Sequence, residues 1–83
     1  MTNEQFKHAI DKLGLTQLAA ARLLGVDGRT VRRWAIGERQ IHFAAAILLR
    51  LLLSGDVTIE AVERVVKREA VLRSLGPERA KKK

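Results

Sequence analysis

The sequence predicts an all-α fold, a compact bundle of five helices with no strand. Three observations carry this. Apolar residues recur at helical spacing in each segment. Side chains that cap helix N-termini stand just before those segments, at Thr2, Thr16, Asp27 and Thr58. Glycines or a Gly-Pro pair follow them, at Gly14, Gly25, Gly37, Gly55 and Gly76-Pro77.

The first helix starts after Thr2, with Gln5 completing a capping box, and turns Phe6, Ala9, Ile10 and Leu13 to one face. The second starts after Thr16 and runs to Leu24, with Gly25 at the position where a positive φ is commonly needed. The third is capped by Asp27, whose carboxylate can accept from the Thr30 backbone N–H, and ends near Gly37. The fourth covers Ile41 to Leu53. The fifth follows Thr58, with Ile59, Val62, Val66 and Val71 inward, and is ended by Gly76-Pro77. Residues 1–75 form the domain, and 76–83, ending "ERAKKK", form a basic disordered tail.

With 83 residues the chain holds one domain with a thin stability margin. Hydrophobic residues at 47% and charged residues at 30% are a globular balance. Absence of cysteine excludes disulfides and thiolate metal sites. The start "MTNEQFKHAI" has no signal-peptide pattern, and the apolar run Ile41–Leu53 is shorter than the ~20 residues that cross a bilayer. A cytoplasmic, nucleoid-associated protein without membrane contact is the expectation.

The net charge of +7 suits a polyanionic partner, and it is unevenly placed. In residues 1–15, Lys7 and Lys12 balance Glu4 and Asp11. Residues 16–40 carry a net +3 through Arg22, Arg29, Arg32, Arg33 and Arg39. Residues 41–63 carry −2, and residues 64–83 carry +6.

Only Gly25, Val26 and the capping Asp27 separate the second and third helices, which forces the sharp crossing of a helix-turn-helix. Ala21 is small where the axes approach. Val31 and Trp34 share one face of the third helix, where Leu18, Leu23 and Leu24 can meet them, and Arg29, Arg32 and Arg33 remain on the wet side. A buried stripe backed by guanidinium groups suits a DNA major groove. The bland alternative for these arginines is a solvated helix face.

The stretch "TQLAAARLLGVDGRTVRRWAIGER" resembles the helix-turn-helix of the Cro and lambda-repressor type, the XRE family. Gln17 matches the Gln that opens the motif, Ala21 its small residue, Gly25 its turn and Val31 its buried aliphatic, and the match is specific across Leu15 to Arg39. The resemblance implies sequence-specific binding of double-stranded DNA by a homodimeric transcriptional regulator, a repressor, that needs no cofactor. It implies that Gln17 contacts a phosphate, that Arg29, Arg32 and Arg33 face the groove and that Arg39 lies against the backbone, with Gly28 and Thr30 also in the interface. Gly28 departs from the family's pattern, which usually offers a side chain there.

Other polar residues read as structural. Trp34 is core rather than a base-stacking aromatic, His8 and His42 are ordinary surface or boundary residues, and Ser54 and Ser74 sit at helix ends. No catalytic set can be assembled, so no enzyme is expected. "IHFAAAILLRLLLSG" is apolar almost all round, so it is either fully buried or partly a subunit interface, with Ile59, Val62 and Val66 as partners in that contact. An outward-facing Leu49, Leu52 or Leu53 would mark the dimer surface, with the two recognition helices about 34 Å apart. Two rival functions remain: an antitoxin-like adaptor that docks a protein on the helix at 41–53, and a non-specific nucleoid-type DNA binder.

Overall fold

The computed structural model describes the backbone of residues 1–82 and the side chains of residues 1–74. It contains five helices and, among the described residues, no strand: α1 (Asn3–Lys12), α2 (Gln17–Leu24), α3 (Gly28–Ile36), α4 (Phe43–Ser54) and α5 (Ile59–Lys82).

Each start is fixed locally. The Thr2 hydroxyl accepts from the Gln5 backbone N–H, and the Gln5 side chain accepts from the Thr2 N–H in return. Thr16 Oγ1 accepts from Ala19 N–H, Asp27 Oδ1 from Thr30 N–H and Thr58 Oγ1 from Ala61 N–H. Each bond satisfies an N–H that the first turn of a helix leaves without an internal partner. Gly25 has φ +72°, in the left-handed region, and so lets the chain leave α2 and re-enter a helix three residues later.

The core is built on α3. Val31, Trp34 and Ala35 are buried, together with Phe6 and Ile10 of α1, Ala20, Ala21 and Leu23 of α2, and Ala45, Leu49 and Leu52 of α4. The Phe6 and Trp34 rings meet edge to face, with centroids 5.8 Å apart and planes at 86°. His42 lies against Trp34 with centroids at 5.4 Å. Val57 of the α4–α5 connection and Ile59 and Val62 of α5 close the cluster, and farther along α5 leans on α2.

Several expectations change. Val71, expected inward on α5, is exposed. Leu18 is exposed rather than packed on α3. Ala20, Ala21 and Leu23 take the buried side of α2, and at about 100° per residue Leu18 falls roughly opposite Ala20. Ile59 and Val62 are partly buried against the core, so only part of each is left for a subunit contact. Of Leu49, Leu52 and Leu53, only Leu53 is exposed.

Helical backbone also continues past Gly76-Pro77 to Lys82, where the sequence ends the helix. The tail expected at 76–83 falls outside the residues whose side chains are described.

The Trp34 packing yields a stability test. Trp34→Ala should destabilise the domain by about 3–5 kcal/mol, a large part of the ~5–15 kcal/mol of a typical small domain. Urea unfolding followed by circular dichroism measures it, and a loss below about 1 kcal/mol would contradict this packing.

Candidate nucleic-acid interface

The candidate interface is the face of α3 that burial leaves behind. Val31, Trp34 and Ala35 define the inward direction. With 3.6 residues per turn, Arg29 and Arg33 lie roughly opposite them, with Arg32 and Thr30 on the two flanks. Arg29, Arg32 and Arg33 are exposed and Thr30 is half-buried. Ile36 points the same way as Arg29 and Arg33 and is exposed. The sequence reading passed over this residue, although the same helical spacing places it there.

Two acids border the arginines. The Asp27 carboxyl is held below its ordinary value, first by the hydrogen bond from the Thr30 backbone N–H, then by the Thr30 side chain, with smaller contributions from the charges of Arg29 and Arg33. Its charge is thus engaged in capping α3. Glu38 Oε1 lies 3.9 Å from Arg33 Nε, and both side chains are well exposed. Such a pair contributes little to stability and readily gives way to another anion.

Three of the seven site residues expected from the sequence meet in one place. Thr30, Arg33 and Arg39 line a concavity of about 230 Å³ with Val26, Trp34 and His42. His42 is the N-cap residue of α4 and makes no side-chain capping bond. It sits at the junction of α3 and α4, a position that its lack of carboxylate companions in the sequence did not reveal. Arg29 and Arg32 stay on the outward face of α3. Gln17 lies apart, as the first residue of α2, in an open depression with Glu4, Lys7, His8 and Asp11.

Gly28 is the first residue of α3, and its φ is not in the left-handed region. A Cβ built there meets nothing within 4 Å. The fold therefore does not require a glycine at this position, and its absent side chain leaves the first turn of α3 open to close approach.

No family model, no curated protein and no solved structure matches this chain. The site therefore rests on its own geometry. Among the described residues, no helix is long and apolar enough to cross a membrane.

Two measurements check this geometry. Gly28→Ala should stabilise the domain by about 0.4–1 kcal/mol, because the backbone and the space both accept a methyl group. A destabilised variant would contradict the open setting of Gly28. Asp27→Asn keeps a capping oxygen but cannot titrate. Because the carboxyl is depressed in the folded state, its extra stabilisation is present above the ordinary value of 3.8 and is lost as pH falls through the lower folded value. Wild type and Asp27→Asn should therefore differ by a constant amount near neutrality, and the gap should shift in favour of the variant only in acid below about pH 4. Urea midpoints across that range would show it.

Proposed function

We propose that the chain binds double-stranded DNA through a helix-turn-helix of the Cro and lambda-repressor type, the XRE family. In this reading it is a transcriptional regulator, a repressor that occupies an operator at the nucleoid and catalyses no reaction. The observation that carries the reading is the orientation of α3. Val31 and Trp34 are fully buried, so the helix cannot rotate about its axis, and its outward side is the arginine side.

Arg29 and Arg33 then present planar donor forks that fit O6 and N7 of guanine together. Ile36 supplies an apolar contact of the kind a thymine methyl takes. Arg32 and Arg39 reach phosphates beside the groove, and Thr30 lines its wall. Gly28 offers a backbone N–H with no side chain in the way. Gln17, at the positive end of α2, hydrogen-bonds a phosphate on the far side. One such helix reads only a few base pairs, so the regulator acts as a two-fold homodimer on a pseudo-palindromic site.

A second reading, non-specific DNA binding, is favoured by α5, where Arg64, Lys67, Arg68 and Arg73 are exposed. These residues add affinity without selecting sequence. Glu60, Glu63 and Glu69 stand four residues before Arg64, Lys67 and Arg73, a spacing that supports a solvent-facing helix. On that ground α3 is the preferred contact. The adaptor reading draws on the outer side of α4, which is apolar.

Selection of bound duplexes from a random pool tests the proposal. A palindromic consensus supports it, and binding without enrichment supports the non-specific reading. On the selected site, Arg29→Ala and Arg33→Ala should each cost about 1–3 kcal/mol and relax preference at one position. Unchanged binding of both would remove α3 from the interface. Glu38→Gln should tighten binding, since it frees Arg33 and removes a negative charge from the edge of the groove. Deleting residues 76–83 should flatten the salt dependence of binding if the basic C-terminus touches phosphates.

A further inference from the structure

The side chain of Asn3 leaves its own helix. Asn3 is the first residue of α1 and is half-buried. The start of α1 is already closed by the reciprocal bonds of Thr2 and Gln5, and needs nothing from Asn3. The Asn3 Nδ2 donates instead to the carbonyl of Ala35 at 3.4 Å, 32 positions along the chain. Among the described residues, every other side-chain hydrogen bond joins residues two or three places apart. Asn3 thus makes the one that ties α1 to α3.

The bond meets α3 where the helix stops. The last carbonyls of a helix have no donor within it. Here the backbone N–H groups of Gly37, Glu38 and Arg39 all turn back to Arg33 and Trp34, and the Ala35 carbonyl receives the Asn3 amide. The same amide lies against Gly37, which has φ +84°. A Cβ built on Gly37 would stand 3.4 Å from Asn3 Cγ, 3.5 Å from Nδ2 and 3.6 Å from Oδ1. Such nearly equal distances mean that the amide presents its face to the turn. At 3.4 Å the hydrogen bond is long, and the contact with Gly37 holds the amide as well.

We propose that Asn3 is a positioning residue for the DNA contact: it holds the turn at Gly37 so that Arg39 is aimed at a phosphate beside the groove. The inference rests on the DNA-binding reading above. Arg39 is two residues past Gly37 and is exposed. It lines two concavities, one with Asn3 and Gly37 and one with Thr30, Arg33 and His42. It therefore stands between the Asn3 amide and the wet face of α3. A guanidinium carried on a turn lacks the fixed origin that a helix supplies, and a tether on that turn provides one. Phe6, about one helical turn after Asn3, meets Trp34 of the same helix pair. The apolar contact sets the rotation of α3, and the amide sets the path by which the chain leaves it.

The test uses the full chain and a duplex taken from the random-pool selection, and reads the salt dependence of binding. Asn3→Ala and Asn3→Asp both remove the donor, since an ionised Asp only accepts. Each should weaken binding about threefold to tenfold and lower the slope of log affinity against log salt by about one, the change expected when one phosphate contact is lost. Arg39→Ala should do the same. In an Arg39→Ala background, Asn3→Ala should cost nothing further, because Asn3 acts through Arg39. Gln5→Glu adds the same charge as Asn3→Asp but preserves the capping box, and should keep the wild-type slope. A merely structural role would lower the melting temperature and leave the slope of the folded protein unchanged. Wild-type slopes in both Asn3 variants, or additive losses in the double variant, would overturn the proposal and leave the DNA-binding reading intact. A wild type that binds no duplex would overturn both. If one Asn3 variant fails to fold, the other decides.

Discussion

The packing of Trp34 and Val31 is the contact on which the rest of the molecule depends. Both side chains are fully buried and point from the centre of α3 into the space enclosed by α1, α2 and α4. Phe6 meets the Trp34 ring edge-on, and His42 lies against it near the junction with α4. A helix anchored by a large aromatic and a stiff β-branched residue one turn apart has its rotation fixed. Its remaining direction is therefore fixed as well, and that direction carries Arg29, Arg33 and Ile36. The same burial that stabilises the domain determines which side chains are offered to a partner.

The link between α2 and α3 complements this anchor. Gly25 takes a backbone conformation that costs other residues energy, and Asp27 then starts α3 by accepting from the Thr30 N–H at 2.8 Å. A carboxylate at the edge of an arginine-rich face would seem ill placed for meeting phosphates. Its position is explained by what it holds: its charge is engaged with the first turn of α3, which it caps. Glu38 has no such tie beyond a loose contact with Arg33, so the two acids differ in kind.

Much of this was legible in the sequence because it is local. The caps at Thr2, Thr16, Asp27 and Thr58 and the stops at Gly14, Gly25 and Gly37 depend on residues within four places of each other, and the helices begin and end beside them. Periodicity also identified Val31 and Trp34 as buried. It failed where the pattern was uniform. α4 is apolar all round, so spacing alone could not say that Leu49 and Leu52 face in while Phe43, Ile47 and Leu51 face out. Leu18 is apolar yet exposed, because the small Ala20 and Ala21 occupy the core side of α2. The meeting of Thr30, Arg33, Arg39 and His42 needed the tertiary path of the chain from α3 into α4, which no local signal contains.

The proposed DNA contact, on the face of α3 opposite Trp34 and Val31, is tested most directly by amide chemical-shift mapping with a short duplex. The account predicts that the largest changes on adding DNA cluster at residues 28–33, at Ile36 and Arg39 and at the start of α2. Shifts concentrated on α4 or α5, with α3 unchanged, would contradict it.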